Sequence, residues 1–303
     1  MKKSHQLYFY AWLINLIAKR ETGITLEEIN QRWMRNGMND GAELTRHSFR
    51  RYKNDIADTF AIDIECDRKT NNYYIGNPQA LRNNTVQRWM LSALSVSNII
   101  TQSLSLQDRI LIENVPVEGE TMRFIIDAMK QKVRISFFYK KYKDDTPSQR
   151  LIIPCCIKLF HQRWYVIAYE PTSEPIFKAF AFDRISNLAL TNETFELPAG
   201  FQAESIFKDA YGIFFGKGEA PQRIVIRAYG DERFYMRDLP LHNSQEIKKE
   251  GDGYIDYQFR LRPYADFIAE LLSKGDRIEI LEPENFRRRI REEHLKALKR
   301  YDF

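Results

Sequence analysis

The sequence predicts a multidomain α+β chain, and three observations predict it. Its 303 residues exceed what one ordinary core organises, which argues for two or three domains. The hydrophobic period changes along the chain, from helical spacing near the N-terminus, to a run of short alternating strands in the middle, to strands mixed with helices at the end. With 44% hydrophobic and 29% charged residues the composition is that of a globular protein, and a net charge of +5 permits an anionic partner without requiring one.

The N-terminal stretch comes first. Lys2 and Lys3 ahead of LYFYAWLINLIA imitate a secretory leader, but Asn15 inside the run and the helical spacing of Leu7, Tyr10, Ile14 and Ile17 favour an amphipathic first helix. TGITLEEINQRWMRNG reads as a second helix: Thr25 and Glu28 have the spacing of a capping box, and Leu26, Ile29 and Trp33 recur on one face. A third helix starts near Thr45, where Phe49, Tyr52 and Ile56 take the buried spacing and Arg46, Arg50, Arg51 and Lys53 fall outside it. Ile62 and Ile64, then Tyr73 and Ile75, alternate about the polar tip DRKTNN, the pattern of a hairpin.

Three helices and a two-stranded wing outline a winged helix-turn-helix over residues 1–77. In that arrangement the start of the third helix reaches base edges in the major groove, and basic and amide groups of the wing hold phosphates. Double-stranded DNA is therefore the expected partner, with Arg46, His47, Arg50, Arg51 and Lys53 on the helix and Arg68, Lys69, Asn71 and Asn72 on the wing. The plainer alternative is a small helical domain with a solvated basic face.

Residues 78–119 read as a helical connector. Trp89, Leu91, Leu94, Ile99, Ile100 and Leu104 are more apolar side chains than a free linker carries, so the segment is expected to brace neighbouring domains or to pair with its copy in a homodimer.

Residues 120–200 open with a helix, ETMRFIIDAMKQK, and continue in five short strand-like segments. Ile135, Phe137 and Tyr139 alternate in the first, and Pro154 marks an edge or a bulge in the second. One helix and five bent strands predict a small barrel of the SH3 or Sm type. In RWYVIAY, Trp164 shares a face with Val166 and Ala168 and reads as core, whereas Tyr165 shares the other face with Arg163. Residues 221–303 carry the strands QRIVIRAYG, YIDYQFRLRP and DRIEILEP, a helix ADFIAELLSKG stopped at Gly275 and a last basic helix, an order that resembles a small split βαβ sheet.

RWYVIAY followed by FAFDRI resembles the WYL-domain family, named for a Trp-Tyr-Leu run that stands here as Trp164-Tyr165-Val166. The N-terminal 77 residues are similar to the winged helix-turn-helix that usually precedes this domain, and the C-terminal segment to the WCX-like extension that often follows it. The resemblance implies a ligand-responsive transcription regulator whose WYL domain senses a nucleic-acid or nucleotide-like effector. It implies a sensing surface at Tyr139, His161 and Arg184. One departure stands out: at the first arginine of an FRLDRI-like strand this chain has Ala181, so the phosphate-binding cation expected there is missing, and Lys178 is the candidate to substitute for it. Beside the resemblance, an arginine fork suits phosphate and tyrosines stack bases, which adds Arg163 and Tyr165 to the expected ligand-binding set, and Lys178 joins it as the substitute for the missing arginine.

No phosphate loop, zinc-protease motif or nucleophile elbow occurs, and the five histidines show no metal-ligand spacing, so neither enzymatic activity nor a cofactor or metal is expected. Cys66, Cys155 and Cys156 form an odd set that fits a reducing cytoplasm. An alternative reading remains open: a nucleic-acid-binding accessory protein of a defence or CRISPR system, with RNA or single-stranded DNA as its main partner.

Overall fold

The computed structural model describes residues 3–35, 43–81, 86–102, 109, 118–171, 176–216 and 220–301, in two compact units divided between Glu113 and Asn114. The α+β class and the multidomain organisation are as expected from the sequence.

The first unit contains α1 (Lys3–Ala18), α2 (Leu26–Arg35), α3 (Arg46–Phe60), the hairpin β1 (Ile64–Asp67) and β2 (Asn72–Ile75), and α4 (Val86–Gln102). The expected capping box forms: the Glu28 amide donates to Thr25 Oγ1 at 3.2 Å and the Thr25 amide to Glu28 Oε2 at 3.2 Å. Thr45 caps α3 by accepting from the Ser48 amide at 3.1 Å. The first helix departs from its one-faced expectation. Phe9, Leu13, Ile14 and Ile17 are all buried while Leu7 is exposed, because α1 packs on α4 as well as on the rest of the unit.

The connector helix is two-sided. Leu91 is fully buried, Met90 and Leu94 pack beside it, and Asn15 Nδ2 donates to Ser95 Oγ at 3.1 Å. Trp89, expected to be packed, is instead exposed, as are Val86, Ala93 and Val96. Of the other connector residues singled out from the sequence, the Ile99, Ile100 and Leu104 side chains lie outside the described residues.

The second unit begins with α5 (Gly119–Gln131), which packs on a five-stranded antiparallel sheet. Its strands are β3 (Val133–Tyr139), β4 (Ser148–Phe160), β5 (Arg163–Tyr169), β6 (Phe177–Ala181) and β7 (Ile185–Thr194), in the order β6-β5-β4-β3-β7. The 13-residue β4 serves both halves, pairing with β3 through Ile152 and with β5 from Ile153 onward. The register shifts between Pro154 and Cys156, so the proline, which has no amide to donate, sits where the strand bends. The curl is strong enough for a single 3-10 turn, Phe182–Arg184, to carry the chain from the β6 edge to the β7 edge. The expected barrel is thus a strongly curled but open sheet: among the described residues no ladder joins β6 to β7. Its core gathers Ile125, Ile135, Phe137, Ile152, Val166, Phe180 and Phe182, with Trp164 packed against it.

A short helix, α6 (Ala203–Phe207), leads to the C-terminal fold: β8 (Gln222–Tyr229), α7 (Glu232–Asp238), β9 (Glu246–Gly251), β10 (Tyr254–Leu261), α8 (Ala265–Ser273), β11 (Ile278–Glu282) and α9 (Glu284–Leu298). The sheet order β11-β8-β10-β9, antiparallel throughout, is that of a split βαβ fold. Ile224, Ile226, Tyr257, Phe259, Phe267 and Phe286 form its core.

Candidate functional site

In the first unit, the cap at Thr45 leaves the opening turns of α3 ordered and outward. Arg46, His47, Arg50 and Arg51 are exposed, while Phe49, Ile56 and Phe60 on the other side are buried. Lys53 has a different setting. Its ammonium donates to the Ile64 carbonyl at 3.3 Å and lies 5.5 Å from the centre of the Tyr73 ring, which ties α3 to the hairpin. At the hairpin tip the Asp67 carboxylate accepts from the Lys69 amide at 2.8 Å and from Thr70 Oγ1 at 3.0 Å, bonds that hold its pKa below the usual value. Arg68, Lys69 and Asn71 are exposed there, Asn71 in the left-handed region at φ 56°. Asn72 is partly committed, because its side-chain amide donates to the Thr22 carbonyl at 2.9 Å.

In the second unit, a cavity of about 450 Å³ opens beside the 3-10 turn, lined among others by Tyr139, Tyr142, Arg163, Tyr165, Lys178 and Arg184. Arg184 is one of the three cations in its lining. Its guanidinium lies 4.0 Å from the Tyr142 ring centre and 4.7 Å from that of Tyr139, and its Nε donates to the Lys140 carbonyl at 2.7 Å. Each such stack contributes on the order of 1 kcal/mol. The terminal nitrogens of Arg184 have no carboxylate partner among the described residues.

The other cations of the cavity are paired. Arg163 bonds the Tyr142 hydroxyl at 2.8 Å and Asp183 Oδ2 at 3.1 Å, and these raise its pKa further. Glu170 bridges Lys178 at 2.7 Å and Arg150 at 3.0 Å, and the Lys178 bond foremost lowers its pKa. Burial raises the Tyr165 pKa, against the hydrogen bond it shares with Arg163. Tyr139 is mostly core: its ring meets Phe137 and Phe180, and its hydroxyl accepts from the Ala181 amide at 3.2 Å.

Tyr139, Arg163, Tyr165, Lys178 and Arg184 are therefore brought together, and His161 is not. His161 and Gln162, at φ 45° and 59°, form the two-residue loop between β4 and β5, with the imidazole 4.1 Å from the Phe160 ring and outside the cavity lining. Sequence reasoning missed Tyr142, which sits in the β3–β4 turn where no periodicity marks it. It also missed Ile213, Phe214 and Phe215, an apolar triplet between two glycines that lines the same cavity.

A family model for the WYL domain matches residues 120–190, and one for the WCX domain matches residues 220–298. The chain contains a WYL domain followed by a WCX domain. The WYL match begins in α5 and ends within β7, so it contains Arg163, Lys178 and Arg184 together with both tyrosines of the stack. The WCX match coincides with the split βαβ fold. A search of the curated proteins gives no match.

Among solved structures, proteasome accessory factor B/C of Arthrobacter aurescens aligns over 95% of this WYL-domain chain at 15% identity and a TM-score of 0.36; the alignment spans 46% of that protein, less than half its length. A CRISPR Cas-related protein aligns over 99% of this chain and 84% of its own, at 12% identity and a TM-score of 0.41. No helix among the described residues is long and apolar enough to cross a membrane.

Proposed function

We propose that this WYL-domain protein is a DNA-binding transcription regulator: a winged helix-turn-helix in the first unit holds double-stranded DNA, and the WYL domain, an SH3- or Sm-like element, binds an anionic, nucleotide-like effector. The observation that carries the reading is Arg184, a cavity-lining guanidinium 4.0 and 4.7 Å from the ring centres of two tyrosines, with no carboxylate on its terminal nitrogens among the described residues. That is the chemistry of phosphate recognition beside a stacking platform. Arg46, His47, Arg50 and Arg51 on the exposed side of a capped helix, with Arg68 and Lys69 on the wing, supply the duplex-facing charge.

The exposed stripe Val86, Trp89, Ala93 and Val96 on α4 recurs at heptad spacing, which supports pairing of two copies as a homodimer. The protein acts by binding rather than turnover in this reading, and it works in the cytoplasm. An effector alters DNA affinity only by the difference between its affinities for the two states of the dimer.

The test is the salt dependence of duplex binding. Replacing Arg46, Arg50 and Arg51 singly by Ala is expected to weaken binding and to lower the log–log slope by about one per lost phosphate contact. Unaltered slopes in all three would remove α3 from the interface. The cavity's own chemistry favours one other reading, an accessory protein whose main partner is RNA or single-stranded DNA, since stacked tyrosines and arginine suit unpaired bases. Competition decides between them: single strands that displace every duplex, including DNA upstream of the protein's own gene, would establish the second reading.

A further inference from the structure

The WYL cavity has one wall that belongs to neither folded domain. Ile213, Phe214 and Phe215 line it, and Phe214 is 50% exposed, free to meet a ligand. The triplet is bounded by Gly212 and Gly216. A Cβ at Gly212 would collide with the Phe160 ring and the Asp266 carboxylate, and Gly216 has φ +117°, so both positions require glycine.

This strap is held at three points. Lys158 of β4 donates to the Gly212 carbonyl at 2.7 Å. Asp266, in the first turn of α8, accepts from the Ile213 and Phe214 amides through one oxygen at 2.8 and 3.1 Å. Arg262 and Tyr264 donate to the Gly216 carbonyl at 2.7 and 2.8 Å. The first anchor comes from the WYL sheet, and the others all come from residues 262–266, the corner where β10 of the WCX fold turns into α8. The strap side chains therefore face the cavity while its backbone is bonded to the WCX corner.

We propose that the strap 212–216 conveys occupancy of the WYL cavity to the WCX domain, by shifting between the anchored arrangement and one in which the Asp266 bonds to Ile213 and Phe214 are exchanged for water. This rests on the reading that the cavity takes an effector. A ligand displacing Phe214 moves amides that Asp266 holds, and the glycines at either end supply the backbone freedom for the shift.

Hydrogen exchange on the full chain tests it in two arms. Without ligand, Asp266→Ala and Lys158→Met are each expected to speed exchange at residues 213–215 by about tenfold, with β8 and β10 unchanged as the control for folding. Phe214→Ala, made on the cavity side, is expected to speed exchange across 262–268; no change there overturns the proposal. With a 5′-phosphorylated tetrathymidylate as probe, the wild type is expected to change protection across 262–268. Lys158→Met and Asp266→Ala bind the probe but lose that change. If the probe binds the wild type and moves no amide in 262–268, the strap fails while the cavity reading stands. If Arg184→Ala and wild type both ignore the probe, the cavity reading falls, and the ligand-free arm alone decides the strap.

Discussion

The guanidinium of Arg184 lies 4.0 Å from the centre of the Tyr142 ring, although three strands, β4, β5 and β6, separate the two residues in the chain order. The β3–β4 turn supplies the tyrosine and the 3-10 turn before β7 supplies the arginine, so the contact exists only once the sheet has curled.

That geometry separates the planar fork from the bare charge. Arg184→Lys keeps the charge and loses both the stack and bidentate donation, and it is expected to weaken binding of a 5′-phosphorylated tetrathymidylate by about tenfold or more. Fluorescence anisotropy measures it. Equal affinities for arginine and lysine would mean that a point charge suffices.

The cap of α3 links stability to the proposed interface. Thr45→Ala removes the bond to the Ser48 amide and is expected to cost about 1 kcal/mol. Urea unfolding of the first unit reads the loss, and duplex affinity should fall with it because Arg46 and His47 stand in the turn that frays. A stable variant with full affinity would detach the cap from recognition.

Lys158 gives a pH signature. Burial foremost lowers its pKa from 10.5 to about 8, against the opposing pull of Asp266 and Cys156. Between those values the unfolded chain holds a proton that the folded chain has lost, so this group makes stability rise with pH across that window and contributes no slope below it. Cys155 and Cys156, raised by burial to about 12 and about 11, act in the opposite direction above the usual thiol range. The lysine contribution is therefore the difference between wild type and Lys158→Met in urea titrations across the window. A difference that stays flat from about pH 8 upward would place its titration elsewhere.

The stripe on α4 predicts association. Trp89→Glu puts a charge in the middle of Val86, Ala93 and Val96 without touching Leu91, which is buried on the other side. Sedimentation is expected to show a dimer for the wild type and a monomer for the variant, with the first unit's thermal transition unchanged. A wild-type monomer at micromolar concentration would remove the stripe's role.

Periodicity made most elements legible. The Thr25–Glu28 box, the Thr45 start, the hairpin about DRKTNN and the bulge at Pro154 were all written locally, and local chemistry decides them. The edge strand β9 was not foreseen, because EIKKEG is exposed at every position and has no alternation to detect. The first helix was read as one-sided because its burial on a second side depends on α4, far along the chain. At the cavity, Arg163, Tyr165 and Lys178 could be proposed from strand faces and the family pattern. Tyr142 and the strap come from turns, where only the finished fold assigns a neighbour, and His161 was placed by counting to a loop that points its ring at Phe160.

The short run from Ala181 to Ile185 has a consequence for how this protein can diverge. The same three residues that hand the chain across the gap in the curled sheet also position Arg184 and its acidic neighbour Asp183. Inserting or deleting a residue there would shift every later side chain of β7 to the opposite face and misplace the guanidinium together. In the effector-binding reading, selectivity can therefore change by exchanging side chains of the cavity lining at constant length, while the crossing itself stays fixed.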